Sequence, residues 1–295
     1  MDGLFALQLL IFALYTCFTA EQSAFFLFQR LVMMITEVKF MKITFGIDIT
    51  DAHMHLPTAP AALSGKKDAL YEEMRKNGIS RGIVISDSEL ESSIGTLSDC
   101  AELFKDCADI AVVGGISPYI QYEKQLKLLE SYIAEGAVAG IKLFCGHEPI
   151  YINDPVLQPV FGLAEKYSVP LLFHSGWDNA RYASPERIRA AAKKYPQIKF
   201  ICCHCCYPTL ASCFETLLQL PNIFFDISSI ADSDTSAFKA VLEQSIHQKP
   251  EHFIFGSDFG SCSQAAHLAF AQSLCIADRE RRLLMHDNAD RLYFR

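Results

Sequence analysis

The stretch Phe45-Gly46-Ile47-Asp48-Ile49-Thr50, followed at once by Asp51-Ala52-His53-Met54-His55, decides how the rest of the chain is read. A short apolar run rich in β-formers ends in polar residues that can hold a metal. Seven further runs of the same kind follow: Gly82–Ser86, Ile110–Ile116, Gly140–Phe144, Pro170–Phe173, Lys199–Cys203, Ile223–Ile227 and His252–Gly256. They recur about every 25–35 residues, the length of one strand, one helix and two loops. Segments of helical period lie between them, such as Tyr122–Glu135 and Pro185–Lys194, the latter opened by Ser184 as a capping residue and Pro185 in the first turn. Strands alternating with helices make a parallel sheet. Eight such units predict an α/β fold, a single-domain (β/α)₈ TIM barrel, with an open doubly wound sheet as the alternative.

In such a barrel the chemistry gathers at the carboxyl ends of the strands. The first run ends in His53-Met54-His55, the fourth contains Lys142, the fifth ends in His174, the sixth in His204 and the eighth in Asp258. Residues i and i+2 of a strand face the same side, so His53 and His55 can grip one ion. Imidazole and carboxylate suit Zn²⁺, and also Fe, Co or Mn. A single His-x-His pair arises by chance on many surfaces. Chance placing His174, His204 and Asp258 at three other strand ends as well is a much weaker explanation.

Taken in order, Asp51-Ala52-His53-Met54-His55, Gly140-Ile141-Lys142-Leu143, Leu172-Phe173-His174-Ser175-Gly176, Cys203-His204, Phe225-Asp226-Ile227-Ser228, Phe255-Gly256-Ser257-Asp258 and Asn288-Ala289-Asp290-Arg291-Leu292-Tyr293 resemble the amidohydrolase superfamily, in its amidohydrolase 2 branch, over residues 46–295. The resemblance implies that His53, His55 and His174 are ligands of a divalent metal, expected to be Zn²⁺. It implies that Asp258 is a ligand, a base or both, and that His204 is a ligand or a supporting group. Some members carbamylate the strand-four lysine to bridge two metals. Lys142 is therefore such a bridge, giving two ions in place of one, or a lysine that only packs or steers substrate, or simply a satisfied charge inside the barrel. The activity implied is metal-dependent hydrolysis of an amide, ester or lactone in a small molecule. Decarboxylation on the same ligands is the alternative, and a barrel that keeps metal without catalysis is a third reading.

The strand-end loops offer substrate contacts: His147 and Tyr151 after the fourth strand, and Trp177, Asp178, Asn179 and Arg181 after the fifth. Arg181 could fork onto a substrate carboxylate; equally it is a solvated loop arginine. Trp177 either walls the pocket or covers core. Asp226 and Ser228 are further candidates, whereas His247, His252, His267 and His286 are assigned no chemistry. The pattern departs from the family at Cys202-Cys203-His204-Cys205-Cys206, where related proteins often have a small residue after the histidine. Neighbouring residues of a strand point to opposite faces, so these four thiols do not converge easily on one zinc. Cys202 and Cys203 are expected in the strand core, with Cys205 bordering the pocket.

The composition is consistent with this. A chain of 295 residues that is 51% hydrophobic has ample material for one large core. A net charge of -8 without a basic patch excludes a nucleic-acid partner. The expected partner is a small-molecule substrate, with a homo-oligomer left open. The 11 cysteines, an odd number lying partly in apolar runs, fit reduced thiols in a cytoplasmic protein better than a secreted disulfide framework.

Residues 1–40 differ from the rest. Gly3 to Ala20 is an uncharged apolar run of marginal membrane-spanning length, without the basic start or small-residue cleavage site of a signal peptide. It reads as an anchor through residues 3–20, a poor signal, or sequence upstream of a start at Met41. The third reading is preferred, because about 255 residues from Met41 match the common barrel size of about 250. Residues 41–295 are therefore expected to fold and bind metal without residues 1–40. Expression of the two forms side by side tests this, and an insoluble or metal-free short form beside a soluble full-length chain would refute it.

Overall fold

The computed structural model describes residues 48–294 apart from Glu89; the apolar extension 1–40 lies outside the described residues. Among the described residues no helix is long and apolar enough to cross a membrane. Eight parallel strands follow one another in sequence order: β1 (Thr50–Met54), β2 (Arg81–Ile85), β3 (Ile110–Gly115), β4 (Gly140–Leu143), β5 (Leu171–Phe173), β6 (Phe200–Cys203), β7 (Ile223–Asp226) and β8 (Phe253–Ile254). A doubly wound sheet reverses its strand order at a switch point, and no reversal occurs here. The segment after β8 closes the ring onto β1. Ala52 N–H donates to Phe255 O at 2.8 Å, Asp258 N–H to His53 O at 2.8 Å and His55 N–H to Phe259 O at 2.7 Å. The architecture is a (β/α)₈ barrel.

One helix follows each strand: α1 (Leu63–Lys76), α2 (Leu97–Phe104), α3 (Tyr122–Ala134), α4 (Gln158–Tyr167), α5 (Pro185–Lys194), α6 (Leu210–Leu217), α7 (Lys239–Gln248) and α8 (Gln264–Ser273). Local chemistry sets several ends. Thr96 caps α2 reciprocally: its Oγ1 accepts from Asp99 N–H, and Asp99 Oδ2 accepts from Thr96 N–H. Pro185 occupies the first turn of α5 as expected, but Ser184 makes no side-chain cap bond. Its backbone is extended at the N-cap, and that conformation alone starts the helix.

Strand alternation sorts the apolar side chains into two sets. Ile83, Ile85, Val113, Leu172, Ile201 and Ile254 fill the barrel interior. Their neighbours, such as Val84, Phe173, Phe200, Phe225 and Phe253, pack outward against the helices. Each fully buried phenylalanine or leucine of this layer contributes about 1.5–3 kcal/mol of transfer free energy. The amino end of the barrel is plugged by the last helix, Asn288–Tyr293, whose Ala289, Leu292 and Tyr293 join the interior set. Asn288 holds that helix by donating to Pro250 O at 2.8 Å and Phe253 O at 2.7 Å.

The first strand departs from the sequence reading. Phe45–Ile47 fall outside the described residues, and the strand runs from Thr50 to Met54, so His53 is a strand residue and does not follow the strand. The pairing of β1 with β2 shifts register between Asp51 and Met54. Ala52 packs in the interior, and the adjacent His53 also reaches the barrel mouth. A bulge that turns two consecutive residues to one side is the usual means of re-aiming a site residue.

After β5 the chain must pass close to another loop. Gly176 has φ of +91°, and a Cβ there would meet Tyr207 N at 2.7 Å, with Tyr207 O closer still. Backbone cannot retreat as a side chain can. Gly176→Ala is expected to lose on the order of 2 kcal/mol of stability. Thermal unfolding monitored by circular dichroism should show a fall of several degrees in Tm, and an unchanged Tm would count against this account of the turn.

Candidate metal centre

A cavity of about 550 Å³ opens at the carboxyl ends of the strands. Its floor carries His53 and His55 from β1, Lys142 from β4, His174 after β5, His204 after β6 and Asp258 after β8. His174, His204 and Asp258 follow their strands and Lys142 lies within β4, as the sequence predicts, whereas His53 lies inside β1.

The geometry is built outward from His53. Its Nδ1 lies 2.5 Å from Asp226 Oδ2, and both side chains are fully buried. Asp226 is in turn fixed by Ser228: Oδ1 accepts from Ser228 N–H at 2.9 Å and Oδ2 from Ser228 Oγ–H at 2.9 Å. A carboxylate on Nδ1 assigns the proton to that nitrogen and leaves the Nε2 lone pair for the cavity. His55 is oriented by the same logic, with Nδ1–H donating to Ile85 O at 3.0 Å. The two freed Nε2 atoms lie 3.6 Å (His53) and 3.4 Å (His55) from Asp258 Oδ1. Donors about 2.0–2.2 Å from one tetrahedral ion are separated by about 3.3–3.6 Å. The two nitrogens and the carboxylate oxygen thus fit a divalent ion.

His204 Nδ1 lies 3.1 Å from Ser228 O and 3.0 Å from Ser228 Oγ. The His174 ring has no hydrogen-bond partner among the described residues and packs edge-on between His147 at 4.2 Å and His204 at 5.0 Å. His174 faces the same cavity, but its nitrogens do not join the compact His53, His55 and Asp258 group.

Burial sets the charge states. It lowers the pKa of His53, with Lys142 adding to the effect, and takes that of His204 down to about 4. Burial, then His204 and Lys142, push His174 far below its ordinary value. All three imidazoles are neutral at pH 7, the form that ligates metal. Burial by itself would raise the Asp258 carboxyl, but His53, His55 and His204 around it hold it well below the usual carboxylate range. A second carboxylate, Asp51, lies behind the strand. It accepts from Ser257 N–H, Ser257 Oγ–H and Gln264 Nε2–H, which anchor the loop after β8 to β1.

Lys142 is 2% exposed and, among the described residues, has no carboxylate within ion-pair distance. Its Nζ donates to Cys203 Sγ at 3.1 Å and lies 5.6 Å from the centre of the Phe144 ring. A thiol and a ring face are weaker partners for a buried ammonium than a carboxylate is.

Among the loop candidates, His147 and Trp177 line the cavity. Arg181 and Tyr151 do not, and the side chains of Asp178 and Asn179 lie outside the described ones. The Arg181 guanidinium donates to Tyr182 OH at 2.9 Å and stacks on that ring, whereas Tyr151 packs against Tyr182 with Arg187 over its face. Tyr182 holds Arg181 because an aromatic face is the nearest favourable surface for a guanidinium in this loop. Cys205 does not border the cavity either. It is fully buried and its thiol donates to Asp226 O at 3.3 Å. Asp87 and Ser88 after β2 and Ser261 after β8 also line the cavity and were missed. Their only signal was their place just beyond strand ends. The orienting role of Asp226 was missed too, since a β7 residue touching a β1 ring is a contact across the closed barrel.

Sequential parallel strands with histidine and aspartate donors converging at the carboxyl-end mouth define a metal-dependent (β/α)₈-barrel enzyme. The chain belongs to the amidohydrolase family, whose model matches residues 50–295. Among solved structures it is similar to an uncharacterized TIM-barrel protein from Bordetella bronchiseptica, with 18% identity, 83% of this chain and 98% of that one covered, and a TM-score of 0.70. It is similar to 5-carboxyvanillate decarboxylase from Sphingomonas paucimobilis, with 15% identity, 84% and 99% covered and a TM-score of 0.64. A dihydroxybenzoic acid decarboxylase with bound manganese from a Polaromonas species has 13% identity, 83% and 96% covered and a TM-score of 0.60. Among curated proteins none matches the chain in sequence.

The Asp226 carboxylate orients His53 without touching the cavity. Asp226→Asn is expected to weaken metal binding by about 10–100-fold while the barrel stays folded. Competition with a fluorescent chelator, with circular dichroism alongside, measures both. Wild-type affinity in the variant would remove Asp226 from the account.

Proposed function

We propose that this chain is a metal-dependent hydrolase that cleaves an amide, ester or lactone in a small molecule bearing a carboxylate. The observation that carries the reading is the position of Asp258. Its ionised carboxylate lies 3.4 Å and 3.6 Å from two oriented imidazoles, on the floor of a cavity large enough for a small substrate. His53, His55 and Asp258 would hold the ion, and His174, which faces the same cavity but stands apart from that group, would join them by moving towards it. A divalent ion there supplies a Lewis acid for the scissile carbonyl and brings water towards ionisation near neutral pH. Zn²⁺ suits this donor set, and the manganese of the Polaromonas decarboxylase makes Mn²⁺ the other candidate.

Asp258 accepts the proton of the attacking water and returns it to the leaving group, which a carboxylate held ionised at pH 7 is equipped to do. His204, neutral and with its Nδ1–H directed to Ser228 O, turns a bare Nε2 to the cavity, where it accepts a hydrogen bond from the attacking water. Lys142 supplies the substrate's counter-ion. Its buried ammonium faces the cavity with no carboxylate in ion-pair reach among the described residues, so an anionic substrate group would complete it. His147 and Trp177 form the wall above.

A second reading is non-oxidative decarboxylation of an unsaturated or aromatic carboxylate. It is favoured by the decarboxylases among the structural relatives and by the same Lys142. Product analysis distinguishes the two, since one releases CO₂ and the other a hydrolytic acid.

A screen of amides, esters, lactones and hydroxybenzoates, each with a free carboxylate, is the first experiment. With a substrate in hand, Asp258→Asn should retain part of its metal yet lose turnover by about 10²–10⁴-fold, because an amide cannot take up and return a proton. Near-normal turnover with metal bound would show that Asp258 is not the proton carrier.

A further inference from the structure

Beneath the turn that carries His204 lies a second cluster of metal-capable atoms, on the side of the barrel wall away from the cavity. Cys202 on β6, Cys206 just beyond it and Cys213 on α6 bring their Sγ atoms within 4.8 Å of one another. All three are buried, at 0–2% exposure, and Cys202 Sγ lies 3.5 Å from Cys206 Sγ. Cys202 points outward with the helix-facing set, whereas its neighbour Cys203 points inward to Lys142. Strand alternation therefore separates these two thiols, as the sequence required. What the sequence could not show is that the chain doubles back. His204, Cys205 and Cys206 all have positive φ, at 62°, 50° and 56°. This left-handed turn brings Cys206 round onto Cys202, and the helix supplies Cys213.

An oxygen donor completes the group. Ser175 Oγ lies 3.2 Å from Cys202 Sγ, donates to Cys203 O at 2.5 Å and accepts from Cys206 N–H at 3.1 Å. Three consecutive non-glycine residues in the left-handed region are strained and persist only where the surroundings over-determine them. The surroundings here are this sulfur cluster on one side and the bonds of His204 to Ser228 on the other.

We propose that Cys202, Cys206 and Cys213 form a second metal site, for a thiophilic d¹⁰ ion of the Zn²⁺ and Cd²⁺ class, with Ser175 Oγ as its fourth donor, separate from the histidine and aspartate centre. Thiolates about 2.3 Å from one tetrahedral ion stand about 3.8 Å apart, so the pair now at 3.5 Å needs to open by only a few tenths of an ångström. Sulfur ligands select soft ions, whereas the His53, His55 and Asp258 group offers nitrogen and oxygen, so the two sites differ in preference. An ion there ties β6, the His204 turn and α6 together. Its effect at the cavity is to hold His204 in place, and it takes no part in the reaction.

The test uses Cd²⁺ with the reduced full-length chain, added to the folded protein and, separately, present during refolding so that burial does not prevent entry. The expected result is a near-ultraviolet thiolate-to-cadmium charge-transfer absorption, one additional ion per chain by native mass spectrometry and a higher Tm. The absorption should persist in His53→Ala, which damages only the cavity centre. It should persist in Cys275→Ser, which removes an exposed thiol. It should be lost in Cys213→Ser, and in Cys206→Ser if the first variant does not fold. No charge-transfer absorption under either loading condition would overturn the proposal, as would absorption of full strength in a folded Cys213→Ser variant. Loss of the cavity ion alone in His53→Ala, with the sulfur absorption unchanged, bears only on the proposed hydrolase and leaves this site standing.

Discussion

The buried contact between His53 and Asp226 is the constraint on which the site depends. It spans the place where a barrel must close, from the first strand to the seventh. Closing it requires the segment after β8 to pass between the two, and only a residue without a side chain fits. A Cβ on Gly256 would lie 2.5 Å from Asp226 Oδ1 and 2.8 Å from His53 Cβ. The same contact fixes which nitrogen of His53 faces the cavity. Asp258, two residues beyond Gly256, donates its N–H to His53 O, so strand closure and the spacing of the donors are set by one group of neighbours. Ser228 extends the group to His204. Loosening any member would move several donor atoms at once, which explains why so many polar side chains are buried here despite the desolvation cost.

Electrostatics at the cavity floor follow from the same burial. Neutral His53, His174 and His204, an ionised Asp258 and a buried lysine with no carboxylate beside it among the described residues give a site that is incomplete by charge. A metal ion would satisfy the imidazoles and Asp258, and an anionic substrate group would satisfy Lys142. Both additions lower the cost of groups already desolvated by the fold, so the barrel arranges the site before any ligand enters. Arg181, which a reading of the loops offered as the anion-binding group, is tied to Tyr182 instead. The cation that faces the cavity is Lys142 on β4, and a strand holds a side chain more rigidly than a loop does.

The turn at 204–206 serves two surfaces. Its inner face presents His204 to the cavity, and its outer face gathers thiols against α6. A left-handed stretch is what allows consecutive residues to divide in this way. An extended strand would send the neighbours of His204 to alternate faces at fixed spacing and could not return Cys206 to Cys202.

The sequence by itself determined the architecture and the residues that line the cavity floor. Seven of the eight strands lie within a residue or two of the apolar runs, and α5 spans the expected Pro185–Lys194. Such features depend on local periodicity and on one residue type per position, and both are legible along the chain. The first strand was displaced because a bulge, a property of pairing between strands, decides which of its residues face inward. Asp226, Cys213 and Tyr182 acquired their roles only through contacts between elements far apart in sequence. Distance in the folded chain, together with the burial that strips these groups of water, is set by barrel closure and helix packing. For that reason the tertiary structure alone decided which donors converge, which nitrogen faces the ion and which charges are left for a ligand to complete.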